Sequence, residues 1–101
     1  MYDYVFEWDV QKAIANYEKH GVSFEEAATI FADPDGLDGE DSDHSQHEQR
    51  RQRIAVSIAG RILFVIYTLR RTGHEKRETI RIISARQASR KERKAYSRLS
   101  H

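Results

Sequence analysis

The hydrophobic period of this chain changes once, and that change limits the folds open to it. Before about residue 35, apolar residues recur at helical spacing; from Arg53 they alternate or run continuously. Val10, Ala13, Ile14 and Tyr17 follow Asp9, a good N-cap residue, and Gly21 supplies a C-terminal stop, so a first helix is expected between them. Ser23 and Glu26 form a capping box, Val22 can staple onto Ala27, and Phe24, Ala27, Ala28, Ile30 and Phe31 give a second helix its apolar face. Pro34, Asp35 and Gly36 end it. Ile54, Val56 and Ile58 then alternate with Ala55 and Ser57, Gly60–Arg61 makes a tight turn, and the stretch from Ile62 to Leu69 is apolar on both faces and β-branched, as a central strand requires. Thr79 to Ala85 reads as a further strand, and Tyr2, Tyr4, Phe6 and Trp8, at every second position, as a first one. A second capping box, Ser89 with Glu92, opens a short C-terminal helix through Tyr96 and Leu99. The expected fold class is α+β, with two N-terminal helices packed on a mostly antiparallel sheet and a short C-terminal helix.

A length of 101 residues suits one domain, taken as 1–101. Apolar residues make up 39% and charged residues 33%, the balance of a globular domain with a heavily charged surface. No apolar run is long enough to cross a bilayer, and the opening MYDYVFEWD lacks the features of a secretory signal, so no membrane partner is expected. With no cysteine, disulfides, thiolate metal sites and cysteine nucleophiles are excluded, and a reducing cytoplasm is the expected location.

The net charge of +1 conceals a strong asymmetry. Residues 1–48 carry thirteen Asp or Glu against Lys12 and Lys19, whereas residues 49–101 carry fifteen Lys or Arg against Glu75, Glu78 and Glu92. Such a split is met in nucleic-acid-binding chains, and equally in folds whose two halves pair with each other. Twelve of the fifteen cations are Arg, whose planar fork suits phosphate, and this favours the first reading.

Three arginines stand out. In TIRIISAR, strict alternation puts Arg81, Ile83 and Ala85 on one face and Ile80, Ile82 and Ser84 on the other. Arg86 lies just past the expected strand end and Arg70 closes the neighbouring strand. Strands about 4.8 Å apart would let the three guanidinium groups converge on one phosphate. Metal-free RNA cleavage also needs a base for the 2′-hydroxyl and an acid for the leaving 5′-oxygen. The candidates are His20, Glu92, Tyr96 and Lys19, each with a plain structural alternative: His20 as a helix C-cap, Glu92 as the capping-box acid, Tyr96 as packing. Asp41, Asp43, His44 and His47 resemble a metal cluster, but the acidic loop at 35–48, with at most a short strand near Leu37, has no clear element to pre-organise ligands, and neither a metal nor another cofactor is expected.

The sequence also resembles a known family. FEWD at Phe6–Asp9, KHGVSFEEA at Lys19–Ala27, DHS at Asp43–Ser45, GR at Gly60–Arg61, VIYTLR at Val65–Arg70, IRIISAR at Ile80–Arg86, and Glu92, Arg93 and Tyr96 are similar, in order, to the BrnT family of type II toxins. The resemblance implies a RelE-like ribonuclease fold, RNA cleavage that inhibits translation, and a neighbouring BrnA-like ribbon-helix-helix antitoxin through which alone operator DNA is bound. It implies Arg70, Arg81, Arg86, His20 and Glu92 as catalytic residues and Lys19, Arg61, Arg93 and Tyr96 as RNA contacts. Two features depart from the pattern: an aromatic extension at Met1–Val5 and a long basic loop from Arg71 to Thr79. Competing readings are a non-catalytic binding module or co-repressor partner of the antitoxin, and a metal nuclease built on His44 and His47.

Overall fold

The computed structural model describes residues 4–41, 50–71 and 78–99. In chain order the elements are β1 (Tyr4–Glu7), α1 (Val10–His20), α2 (Phe24–Thr29) running into a 3-10 turn (Ile30–Ala32), β2 (Leu37–Glu40), β3 (Arg50–Val56), β4 (Ile62–Arg71), β5 (Glu78–Gln87) and α3 (Arg90–Leu99). The strands form one five-stranded sheet in the order β1-β5-β4-β3-β2. Every pairing is antiparallel except β1 with β5, so the sheet is mixed.

The local signals act where the sequence places them. Asp9 accepts from the Lys12 amide (3.0 Å), and Gly21, at φ 67°, takes the left-handed conformation that ends α1. Ser23 accepts from the Glu26 amide (3.0 Å), while Val22 and Ala27 are both fully buried, as a hydrophobic staple requires. Gly60, at φ 80°, closes the turn that joins β3 to β4.

One face of the sheet carries the core. Leu63, Val65 and Tyr67 of β4, Ala55 of β3, and Ile80, Ile82 and Ala85 of β5 pack against Val22, Phe24, Ala27 and Ile30. Phe6, Trp8 and Phe31 close its margin, and Trp8, beyond the end of β1, meets Phe24 edge-on at 6.0 Å. Each fully buried Phe, Ile or Leu here contributes roughly 1.5–3 kcal/mol relative to exposure.

Strict alternation fails in β5. Tyr67 pairs with Ile82, but the next β4 residue, Ile66, pairs with Ser84, so Ile83 is a bulge. The expected grouping of Arg81, Ile83 and Ala85 on one face is therefore corrected. Ala85 joins Ile80 and Ile82 in the core, and Arg81 shares the opposite face with Ser84 and Arg86.

β1 pairs with β5 only as far as Glu7 and Arg81. Beyond that point the β5 edge is met by α1. Buried Asn16 accepts from the Ala85 amide (3.1 Å) and donates to the Ala85 carbonyl (2.8 Å) and the Val22 carbonyl (3.0 Å). A side-chain amide thus stands in for a strand partner, satisfying buried backbone groups. Asn16→Ala should lower the unfolding free energy by about 2–4 kcal/mol in urea titration, because it strands a buried amide and two carbonyls. A loss under about 0.5 kcal/mol, the level of an ordinary surface change, would show that water replaces the amide there.

Candidate nucleic-acid interface

The sheet face opposite the core is where the candidate residues meet. Direct neighbours in the register share a face, which places Arg50, Gln52 and Ile54 of β3, Phe64, Ile66, Thr68 and Arg70 of β4, and Arg81, Ser84 and Arg86 of β5 on this side. Glu7, paired with Arg81, adds a carboxylate from β1.

Two arginine sites occupy this face instead of one. At one end Glu7 Oε1 lies 3.5 Å from Arg81 Nη1 and 3.7 Å from Arg70 Nη1, with all three side chains between 32% and 45% exposed. These are ion pairs beyond hydrogen-bond length; Glu7 Oε1 is enclosed yet has no hydrogen-bond partner among the described residues. The hydroxyl of buried Thr68, opposite Arg81 in the register, is likewise unpartnered among them. At the other end Arg86 binds Glu92 through both terminal nitrogens (2.7 and 2.9 Å), donates to the Gln87 carbonyl (3.2 Å), and lies over the Phe64 ring at 4.2 Å. The two sites sit opposite Thr68 and Phe64, four residues apart on β4, hence about 14 Å apart. The expected convergence of Arg70, Arg81 and Arg86 on one phosphate is corrected accordingly: the bulge keeps all three on one face, but strand rise separates Arg86 from the other two.

Between the sites lies an open concavity of about 350 Å³ lined by Asp41, Arg50, Gln52, Phe64, Ile66 and Ser84. A half-buried aromatic ring, an apolar wall and polar side chains between cations suit a nucleobase and its backbone.

Glu92 serves two structures at once. Its carboxylate accepts from the Ser89 amide (2.8 Å) while Ser89 Oγ accepts from the Glu92 amide (3.2 Å), a complete capping box, and the same oxygens hold Arg86. The Arg86 hydrogen bonds outweigh burial and hold the Glu92 carboxyl below its usual range. Tyr96 donates to Asp33 Oδ2 (2.6 Å), and this bond, with burial, pushes the phenol up to about 12. The Tyr96 hydroxyl therefore ties α3 to the 3-10 turn and is poorly suited to proton transfer near neutrality.

The remaining candidates lie elsewhere. Arg61, in the β3–β4 turn, grips both oxygens of Glu26 and donates to the Gly21 carbonyl (3.2 Å), joining that turn to the α1–α2 corner. Arg61 is the first cause that holds Glu26 below its usual range, and Ser57, donating at 2.7 Å, adds to it. Lys19 and His20 form the last turn of α1, and His20 shares a helix face with Asn16, one turn on. No hydrogen bond or ion pair joins Lys19 or His20 to the arginine sites among the described residues. Arg93 is on the outer side of α3. Asp43, His44 and His47 lie outside the described residues; among those described, no three His, Cys, Asp or Glu side chains are grouped to hold a metal.

Sequence reasoning missed two groups. Glu7 gave no signal beyond its place in FEWD, since nothing in the spacing announces a parallel pairing with β5. The second is a polar cluster at the edge of the core face. Tyr67 donates to Asp38 (2.5 Å) and accepts from Arg51 (3.4 Å), while Arg53 binds Asp38 (2.5 Å) and the Asp33 carbonyl (2.6 Å). Burial, then the Asp38 bond, pushes Tyr67 to about 12. Gly36 lies directly against the Arg53 guanidinium, where a Cβ would collide. Pairing of Asp38 with Arg53 and of Glu40 with Arg51 across β2 and β3 was the legible clue, had β2 been placed.

Comparison with known proteins defines the class. The model for the ribonuclease toxin BrnT of type II toxin–antitoxin systems matches residues 8–92, and the chain belongs to that family. Among solved structures, the ribonuclease toxin BrnT of Brucella abortus, determined at 1.1 Å, superposes with a TM-score of 0.58 at 22% identity, covering 86% of this chain and 97% of that one. No curated protein matches the sequence. No helix among the described residues is long and apolar enough to cross a membrane.

Glu26, Asp33 and Glu92 are all held below their ordinary values. The folded state therefore binds fewer protons than the unfolded chain, and this stabilisation is present above the carboxylate range and lost as pH falls through the lowered folded values. Unfolding free energy should be steady near neutrality and decline below about pH 4. Glu26→Gln should flatten part of that decline, and an identical acid limb in the variant would show that the Arg61 pair contributes nothing.

Proposed function

We propose that the chain is an endoribonuclease toxin acting by metal-independent transesterification. The observation that carries this reading is the carboxylate of Glu7 held between Arg70 and Arg81 on an open sheet face. A scissile phosphate draws the two guanidiniums, whose bonds to phosphate are charge-assisted and geometrically matched. Glu7, released from its ion pairs, takes the 2′-hydroxyl proton. The 2′-oxygen forms a bond to phosphorus, the bond to the 5′-oxygen breaks, and that oxygen takes a proton from solvent water on the open face, giving a 2′,3′-cyclic phosphate and a 5′-hydroxyl. Arg86, oriented by Glu92, takes a phosphate further along the strand while Phe64 offers a stacking surface in the concavity between. Lys19, His20 and Arg93 contact flanking RNA; Arg61, committed to Glu26, fixes the corner beside the end of α1, and Tyr96 supports Arg93 by fixing α3.

The same reading makes residues 1–101 one functional unit of RelE-like design, acting in the cytoplasm, inhibiting translation, and neutralised by a BrnA-like ribbon-helix-helix antitoxin that alone carries the complex to operator DNA. Family membership supports it, since the family is described as ribonuclease toxins of type II systems.

Glu7→Gln keeps shape and hydrogen bonding but removes the base. It should lower the single-turnover rate on RNA by on the order of 10²–10⁴ and leave RNA affinity within about threefold, while cleavage by the parent protein should be insensitive to EDTA. Full activity in Glu7→Gln would remove Glu7 from the mechanism; activity abolished by EDTA would point to a metal nuclease, and binding with no cleavage by the parent protein to a non-catalytic module.

A further inference from the structure

The outer face of α3 carries charge that the sheet face does not use. Arg90, Arg93, Lys94, Ser97 and Arg98 fall at the i, i+3, i+4, i+7, i+8 spacing of one helix face and line a continuous shallow groove of about 410 Å³. The helix is held in one rotational setting by its inner face, where Glu92 binds Arg86 and Tyr96 binds Asp33. Its single acid, Glu92, is thereby taken up, and none of the four outer cations makes an ion pair among the described residues.

Arg98 in the last turn excepted, this arrangement opposes the helix more than it stabilises it. Arg90 with Lys94 and Lys94 with Arg98 are like charges at i, i+4, and Arg90 with Arg93 at i, i+3, each unfavourable by roughly 0.2–0.5 kcal/mol. Arg90 also stands in the first turn, where the helix dipole opposes a cation. Among the described residues the groove is lined by no apolar or aromatic side chain, so these supply none of the anchors on which a protein interface depends. What it offers is a row of cations about 12 Å long, from Arg90 to Arg98, at the rise of a helix. That matches a polyanionic backbone that repeats its charge at every unit.

We propose that the outer face of α3 is a second RNA contact, a cationic track that holds phosphates of the strand flanking the cleaved segment, without reading sequence. This rests on the ribonuclease reading and extends it: the substrate is an RNA long enough to lie on the sheet face and run on past Arg86 along α3. Short oligonucleotides occupy the sheet face alone.

The test uses the full chain and a variant with Arg90, Lys94 and Arg98 all changed to Gln, leaving Arg93 in place. Because relieved like-charge repulsion offsets the lost dipole contact of Arg98, the variant should melt close to the parent. Binding of an uncleavable 2′-O-methyl RNA of about 30 nucleotides is measured across salt concentrations, and cleavage of a roughly six-nucleotide RNA is measured beside it. The expected result is a salt dependence of log affinity shallower by about 2 in the variant, three lost contacts at about 0.7 each, with affinity for the long RNA down at least tenfold near 0.1 M salt. Cleavage of the short RNA should be unchanged. An unaltered salt slope overturns the track, whatever the cleavage assay gives. A shallower slope in a protein that cuts neither RNA supports the track and overturns the ribonuclease reading instead. Polyglutamate bound by the parent as tightly as the long RNA, and lost in the variant, overturns RNA as the occupant in favour of an acidic protein.

Discussion

A single extra residue in β5 decides which groups this protein can present together. Arg81 and Arg86 are five positions apart, an odd number, and an unbroken strand would send them to opposite faces. The bulge at Ile83 restores even parity, so both arginines stand on the open face while Ile80, Ile82 and Ala85 all reach the core. The adjacent isoleucines of IRIISAR are explained by this: one fills the core and the other is the inserted residue. Bulges disrupt the ladder locally; two residues on, along the opposite edge that β1 leaves open, Asn16 binds both backbone groups of Ala85. Core, bulge, edge cap and arginine placement are one linked arrangement, so damage to any part moves the others.

The charge asymmetry of the chain resolves into two populations. Arg53 pairs with Asp38, Arg61 with Glu26, and Arg70 and Arg81 with Glu7, so four arginines of the basic half meet acids of the acidic half. Pairing between the halves is therefore real and structural. It leaves α3 untouched, with Arg90, Arg93, Lys94 and Arg98 on its outer face and without ion pairs among the described residues. Both readings of the sequence asymmetry thus hold, each for its own set of residues.

Local chemistry was legible from the sequence and long-range pairing was not. The caps at Asp9, Ser23 and Ser89, the stop at Gly21 and the apolar strand from Ile62 all follow from neighbours within four residues. The second helix read from Ser23 to Pro34 is shorter in fact, because its last turn tightens to 3-10 at Ile30–Ala32 before Asp33 turns the chain. β2 was only faintly visible near Leu37, since LDGE is a polar edge strand without alternation. At the site, the arginines could be named from residue type, but Glu7 depends on a parallel contact between residues more than seventy positions apart. The single-phosphate geometry failed for a related reason: adjacency of strands sets lateral distance, while register and bulge set distance along them.

The ion pairs themselves differ in how readily a phosphate can replace them. Arg61 and Glu26 meet through two bonds, supported by Ser57 and the Gly21 carbonyl, with the carboxylate largely enclosed. Separating them would strand a buried charge, so that pair belongs to the framework. Arg86 and Glu92 are intermediate: bidentate and half-exposed, with Glu92 held independently by Ser89. Glu7 is the loosest, touching two half-exposed arginines beyond hydrogen-bond length, a class of contact worth about 0–1 kcal/mol. A phosphate offering bidentate, charge-assisted bonds would displace Glu7 at small cost, and in doing so would leave an unpaired carboxylate beside the atoms it had displaced. The longest of these three contacts therefore stands where an incoming anion would most readily exchange for it.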